Sequence, residues 1–269
     1  DDAAFARIIE AWHQHLVLVF RGQELDSRAQ ARFCRRFGEF VRPKSAPQGA
    51  GAARAGDPNA MIVSNIKKDG KWIGSLPVGA LSFHSDGAFH RTPHKASMLY
   101  AIEVPDEGGE TVFASMYAVY EALDAETKAL LEDCTADNFF EYDGQTEYRE
   151  NDEGGPDKPP HHVHPVVVSH PVTGRKLLFI SRRMTKKIFE LKPEIYQPVL
   201  ARIFDMVEAP AFTYAHEWRP GDLVVWDNRC TQHGRRDFDP AARRLLRRFA
   251  IRGDTQPSRD VPPDRRVAI

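Results

Sequence analysis

The chain has 269 residues, with 37 Lys and Arg against 38 Asp and Glu and a formal net charge of -1. That length suffices for one domain, residues 1–269, with a well-buried core, and the balanced charge offers no global field for nucleic acid or an anionic membrane. Any anion binding must be local.

Phe5, Ile8, Ile9, Trp12 and Leu16 recur at helical spacing and predict an amphipathic helix running into a strand over Val17–Phe20. A second helix follows, with Asp26 as N-cap, Phe33 and Phe37 on one face and Gly38 past its end. Residues 43–58, rich in Ala, Gly and Pro, read as a surface loop. Short strands are then expected at 61–64, 97–104, 111–114, 165–169, 177–181, 212–215, 223–226 and 247–251, with turn signals at Thr173-Gly174 and Pro220-Gly221-Asp222. Helical stretches interrupt them at 116–132 and 193–207, and the polar run 151–160 reads as a loop or lid. Many short strands with inserted helices predict a barrel or jelly roll in place of alternating βαβ units. Cys34, Cys134 and Cys230 form no CxxC, which fits a reducing cytoplasm better than a disulfide framework or a thiolate zinc site. No apolar run approaches the roughly 20 residues of a membrane span, and the opening Asp1-Asp2-Ala3 has no signal-peptide organisation.

In Phe83-His84-Ser85-Asp86-Gly87, His84 and Asp86 are two apart, so on an extended segment they share a face. An imidazole and a carboxylate together suit a borderline divalent ion. A further distant His would complete the two-His, one-carboxylate triad that leaves three positions of the metal open. Alone, an HxD is more often a turn or a hydrogen-bonded pair. The third candidate, His233, follows the strand at 223–226 and precedes Arg243-Arg244 and Arg247-Arg248. A di-acid chelating a metal through a keto-acid end needs its far carboxylate neutralised, and an arginine fork does so bidentately. Arg244 and Arg248 share a face if the segment around Leu246 is a strand. A solvated edge strand or generic anion patch explains the arginines equally well at this point.

Taken together, the motifs resemble the taurine dioxygenase and 2,4-dichlorophenoxyacetate dioxygenase family of Fe(II)/2-oxoglutarate oxygenases. The resemblance runs from before Phe20 through Phe83-His84-Ser85-Asp86, Gly108-Gly109-Glu110-Thr111, His170-Pro171-Val172-Thr173-Gly174-Arg175-Lys176, Trp218-Arg219-Pro220-Gly221-Asp222-Leu223 and Trp226-Asp227-Asn228-Arg229 to Gly253-Asp254. The family pattern begins with further N-terminal strand residues that precede the stretch present here. The resemblance implies a mainly β fold with flanking helices, a double-stranded β-helix of the jelly-roll, cupin-like kind. It implies Fe(2+) held by His84, Asp86 and His233, with 2-oxoglutarate and O2 as co-substrates. Arg244 would pair with the distal carboxylate of 2-oxoglutarate and Thr111 would assist, while Arg248 would meet either the substrate anion or the keto-acid carboxylate. The implied reaction hydroxylates a small, anionic organic substrate (a sulfonate, sulfate ester, aryloxyalkanoate or other carboxylate) with release of succinate and CO2. A homo-oligomer, dimer or tetramer, is expected only by analogy.

Other features admit plainer explanations. His161, His162 and His164 have no partner at zinc spacing and read as a loop leading into a strand. Arg182-Arg183 with Lys186-Lys187 reads as a solvated face or a receiver of an anionic substrate. Trp72, Trp218 and Trp226 read as core or strand packing, and Asn65 as a turn former or a ligand contact. Two alternatives to the oxygenase stay open: a jelly-roll binding protein without turnover, and a zinc hydrolase.

Overall fold

The computed structural model describes residues 1–42, 55–140 and 160–260. The expected loops at 43–58 and 151–160 lie outside the described residues, except for 55–58 and 160. The first helix, Asp2–His15, is capped by the Asp1 carboxylate, which accepts from the Ala4 N–H at 2.7 Å, and Leu16 ends it at φ 66°. Asp26 caps the second helix, Ser27–Arg35, by accepting from the Ala29 N–H at 2.6 Å. Each cap satisfies an N–H that the first turn leaves without an intrahelical acceptor.

Two antiparallel sheets dominate the mainly β architecture. The larger has the order Val17–Phe20, Leu223–Asp227, Ala96–Glu103, Leu245–Ile251, Met61–Ser64. The smaller has the order Thr213–His216, Thr111–Ser115, Thr231–Arg235, Leu81–His84. Strand alternation gives the larger sheet two buried faces. Met98, Leu223, Val225, Leu245, Phe249 and Ile251 face outward to Trp12, Ala31, Cys34 and Phe37 of the two N-terminal helices and the residues just after them. Leu99, Ala101, Val224, Trp226 and Leu246 face inward and meet Phe113 of the smaller sheet, whose ring centroid lies 5.4 Å from that of Trp226. The inner faces thus confront each other across an aromatic contact. A third core forms under the helices Met116–Ala122 and Pro193–Glu208 and the hairpin Val167–Ser169 with Lys176–Leu178. No helix among the described residues is long and apolar enough to cross a membrane.

Several boundaries differ from expectation for local reasons. The helical stretch 116–132 is two helices, Met116–Ala122 and Ala125–Leu131, because Asp124 breaks it by accepting from the Thr127 N–H at 2.7 Å. The strand expected at 165–169 is two, His161–Pro165 and Val167–Ser169, and the histidine run therefore sits in a strand paired with Thr135–Phe139. The strand expected at 177–181 stops at Leu178, and a 3-10 turn, Pro210–Phe212, delays the next strand to Thr213–His216. The two strands expected at 97–104 and 247–251 begin earlier, as Ala96–Glu103 and Leu245–Ile251. Trp72 is not core: it lies 45 % exposed on the hairpin Lys67–Lys68 with Lys71–Trp72, under the Lys67 ammonium at 4.2 Å.

Candidate functional site

His84 and His233 come from strands far apart in the chain and become direct cross-strand partners in the smaller sheet, with ring centroids 4.3 Å apart. The strand carrying His84 ends there, so Asp86 sits on the following turn instead of on an extended segment. The turn still brings it back: Asp86 Oδ1 lies 3.8 Å from His84 Nε2, and Oδ2 lies 3.9 Å from His233 Nε2. Gly87 makes that turn at φ +71°, and a Cβ there would stand 2.7 Å from the His94 ring. The three ligating atoms lie within 4.8 Å of one another, a two-nitrogen, one-oxygen donor set of the size a divalent ion needs.

The protonation pattern suits metal binding. His84 Nδ1 faces the Ser82 carbonyl at 2.9 Å, and only a ring N–H can serve a carbonyl, so the Nε2 lone pair is left toward Asp86. Burial lowers the pKa of His84 and pushes that of His233 down to about 3, His84 adding to the latter effect, so both rings are neutral ligands. Burial opposes the charge on Asp86, yet the Arg248 guanidinium, the foremost opposing charge, holds its carboxyl well below the usual range. Asp86 is also where the two sheets meet. Its Oδ2 accepts from Ser97 Oγ at 2.6 Å and pairs with Arg248 Nη2 at 2.6 Å, both donors coming from the inner face of the larger sheet.

Arg244 lies on that inner side as well, two residues before Leu246, whereas Arg247 turns outward to Gln30 Oε1 at 2.6 Å. Arg244 is only 2 % exposed, and it has no carboxylate partner among the described residues. Its Nε–H is buried with no acceptor, its Nη2 reaches only the Gly109 carbonyl at 3.4 Å, and the Phe238 ring lies 5.6 Å from its guanidinium carbon. Desolvation, and then Arg235, lowers its pKa to about 9. Asn65, which the sequence left between turn former and ligand contact, clamps this segment instead. It accepts from the Arg244 N–H at 2.8 Å and donates to the Ala242 carbonyl at 2.7 Å. Thr111 is buried on the facing sheet, where its Oγ1 accepts from Trp218 Nε1–H at 3.1 Å.

Arg182 and Arg183 part company. Arg182 is paired to Asp205 and Glu208 at 2.7 Å each, on the surface. Arg183 is half-buried, has no ion pair or hydrogen bond among the described residues, and its charge is felt by both His84 and His233. The histidine run belongs elsewhere: His161 pairs with Asp137 at 2.9 Å and His164 bonds the His90 carbonyl at 3.0 Å. A second dense cluster, His170, Asp227 and Cys230, is already satisfied, since Asp227 holds Arg229 at 2.6 Å and His170 at 3.2 Å. It reads as the brace that sets the turn between the strands Leu223–Asp227 and Thr231–Arg235. Sequence reasoning missed Ser97, the clamp role of Asn65, and the tie from Trp218 to Thr111; the last two depend on partners more than 100 residues away, and Ser97 meets Asp86, eleven positions before it, only because the turn after His84 folds back onto the larger sheet.

Residues 1–250 match the model of the taurine catabolism dioxygenase TauD, TfdA family. The chain is 34% identical over 264 residues to pentalenolactone F synthase of Streptomyces arenae, covering 92% of this chain and 86% of that protein. It is 35% identical over 255 residues to the alpha-ketoglutarate-dependent 2,4-dichlorophenoxyacetate dioxygenase of Burkholderia sp. (strain RASC), covering 89% and 82%. Its fold is similar to the crystal structure of AAD-2 in complex with Mn(II) and N-oxalylglycine, with a TM-score of 0.77, 32% identity, and coverage of 94% of this chain and 90% of that one. The chain belongs to the TauD, TfdA family and is a 2-oxoglutarate-dependent dioxygenase working with Fe(II) and O2.

Proposed function

We propose that this family member holds Fe(II) through His84, Asp86 and His233, takes the distal carboxylate of 2-oxoglutarate on Arg244 and Thr111, and hydroxylates a small organic anion. The framework is one domain, a double-stranded β-helix whose two walls are the five- and four-stranded sheets. The observation that carries the reading is Arg244, a buried cation whose Nε–H has no acceptor among the described residues, on the sheet face that confronts the triad. Burying a charge without a partner costs several kcal/mol, so a site that keeps one is built for an anion to arrive. A carboxylate meets that need with two parallel hydrogen bonds.

When bound, the iron supplies the oxidising power toward an unactivated C–H bond, and succinate and CO2 leave as co-products. The chain's own groups divide the remaining work. The Ser82 carbonyl keeps His84 in the tautomer that offers Nε2. Ser97 and Arg248 fix the Asp86 carboxylate. Arg248, held beside the ligands, serves the carboxylate at the keto-acid end. That leaves Arg183 as the cation for a substrate anion, consistent with a relative that acts on 2,4-dichlorophenoxyacetate. A cytoplasmic setting suits the three buried free thiols, Cys34, Cys134 and Cys230.

The test is a panel of aryloxyalkanoates, sulfonates and sulfate esters, offered to anaerobically reconstituted enzyme and then to O2. Succinate that requires both Fe(II) and 2-oxoglutarate is expected, rising with at least one anionic substrate. No succinate, coupled or uncoupled, would defeat the proposal. Product formed with Zn(II) and no 2-oxoglutarate would return the hydrolase reading.

A further inference from the structure

The segment Trp218-Arg219-Pro220-Gly221-Asp222 meets the site through a single side chain. Trp218 Nε1–H donates to Thr111 Oγ1 at 3.1 Å. The polarity of that bond is fixed, because an indole nitrogen can only donate. A threonine hydroxyl has one proton and two lone pairs, so with a lone pair committed to Trp218 its proton must seek an acceptor elsewhere. Among the described residues Thr111 has none: the hydroxyl proton is buried and undelivered. It shares that condition with Arg244 Nε–H, and the two are linked through the run at Gly109, whose carbonyl takes Arg244 Nη2 two residues before Thr111.

The indole is itself braced. Thr111 lies opposite His216 in the sheet, and the His216 ring stands edge-on to Trp218 with centroids 4.5 Å apart. His216 Nε2 lies 3.2 Å from Asp222 Oδ2, which in turn accepts from the Arg219 N–H at 2.8 Å and from Arg21 Nη1 at 2.5 Å. A line of contacts therefore runs from Arg21, half exposed, through Asp222, His216 and Trp218 to the Thr111 hydroxyl.

We infer that Trp218 is a positioning residue for the co-substrate: by occupying a lone pair of Thr111 it turns that hydroxyl into a dedicated donor aimed at the distal carboxylate that Arg244 receives. The inference depends on the proposed roles of Arg244 and Thr111. Its signature is selectivity for a di-acid, since a keto acid without a distal carboxylate has nothing for the oriented hydroxyl to hold.

The experiment titrates Mn(II)-loaded protein with 2-oxoglutarate and, separately, with pyruvate, which keeps the keto-acid end and lacks the distal carboxylate. Binding is read by calorimetry, so no turnover is needed. Trp218→Phe keeps a ring against His216 and removes the N–H; 2-oxoglutarate should weaken about fivefold, the equivalent of one neutral hydrogen bond, while pyruvate is unaffected. Thr111→Val should weaken 2-oxoglutarate by a similar or larger factor, and the double variant should lose no more than Thr111→Val alone. A merely structural indole would instead weaken both ligands, or add its loss to that of Thr111→Val. Either result overturns the inference, as does unchanged 2-oxoglutarate affinity in Trp218→Phe. If Trp218→Phe does not fold, the benzothiophene isostere of tryptophan at position 218, which swaps the N–H for sulfur at constant shape, reads the same outcomes. Unchanged affinity in Thr111→Val with a loss in Arg244→Met would remove Thr111 from the carboxylate site itself, a failure of the underlying assignment and distinguishable from the others.

Discussion

Arg244→Met should make the ligand-free protein more stable while destroying its response to 2-oxoglutarate. The guanidinium is buried, and among the described residues its Nε–H has no acceptor and its only hydrogen bond is the 3.4 Å contact to Gly109. A pKa pushed from 12.5 down to about 9 by desolvation and then by Arg235 corresponds to a combined cost on the order of 5 kcal/mol at ~1.36 kcal/mol per pH unit. Packing of the arginine stem and the contact with Phe238 offset part of that cost, and methionine fills the same space without a charge. A net gain of ~1 to 2 kcal/mol is expected, by the precedent that buried charges replaced with apolar groups are neutral or stabilising. For a chain of this size that is a rise of about 2 to 8 °C in Tm. The opposite holds for binding, where removing one side of a desolvated ion pair costs about 2 to 5 kcal/mol, so affinity for 2-oxoglutarate should fall on the order of 100-fold or more. Thermal melts of Mn(II)-loaded wild type and variant, with and without 2-oxoglutarate, test both halves: the wild type should gain Tm on adding the ligand and the variant should not. A variant less stable than wild type without ligand, or one that still gains Tm with 2-oxoglutarate, would refute the reasoning.

Gly109→Ala attacks the same pocket from the backbone. Gly109 has φ +71° and an added Cβ would lie 3.3 Å from Arg244 Nε, so a strain cost of ~1 kcal/mol and a several-fold weaker grip on 2-oxoglutarate are expected, read by the same titration. Arg183→Ala should raise KM for an anionic substrate by roughly tenfold, the scale of one screened charge contact, and leave the affinity for 2-oxoglutarate untouched; steady-state kinetics with each ligand varied in turn separates the two. In the acid range, His164 is held neutral by burial and by His162, with its pKa lowered to about 4. The unfolded chain takes up that proton below about pH 6.5, so the part of the stability that His164 contributes should be constant above that pH and fall between about 6.5 and 4, by at most ~3 kcal/mol, in addition to the losses at the other buried histidines, His13, His94 and His216. Urea midpoints at pH 7 and pH 5 measure the fall, and His164→Phe should shrink it.

The parts of the molecule legible in the sequence are those set by local chemistry. The cap at Asp26, the helix at 193–207 and the strand Met61–Ser64 all depend on residues within a few positions of one another. The metal-binding strands were the least legible. Leu-Ser-Phe-His alternates but is only four residues long, and Thr-Gln-His-Gly-Arg has no apolar residue to mark a face, because His84 and His233 stand where packing residues would otherwise give the signal. Asp124 and the Pro165-Val166 junction split elements that periodicity alone joins. Trp72 packs across a hairpin strand and not in the core, because aromatic content signals burial only on average, and a two-residue hairpin strand has no second face to bury.

The pairing of His84 with His233 and the outward turn of Arg247 follow from one geometric fact, the register of strands that meet across long separations. A shift of one residue in Leu245–Ile251 would exchange Arg248 for Arg247 and leave Asp86 without its cation. That register is set by the outer cluster, since Leu245, Phe249 and Ile251 are each fully buried against the N-terminal helix layer. The helices far from the metal are therefore part of the device that aims the arginines. Variants that loosen the layer, such as Phe37→Ala, should weaken 2-oxoglutarate binding as well as stability, although Phe37 is packed in the outer cluster, on the opposite side of the larger sheet from Arg248.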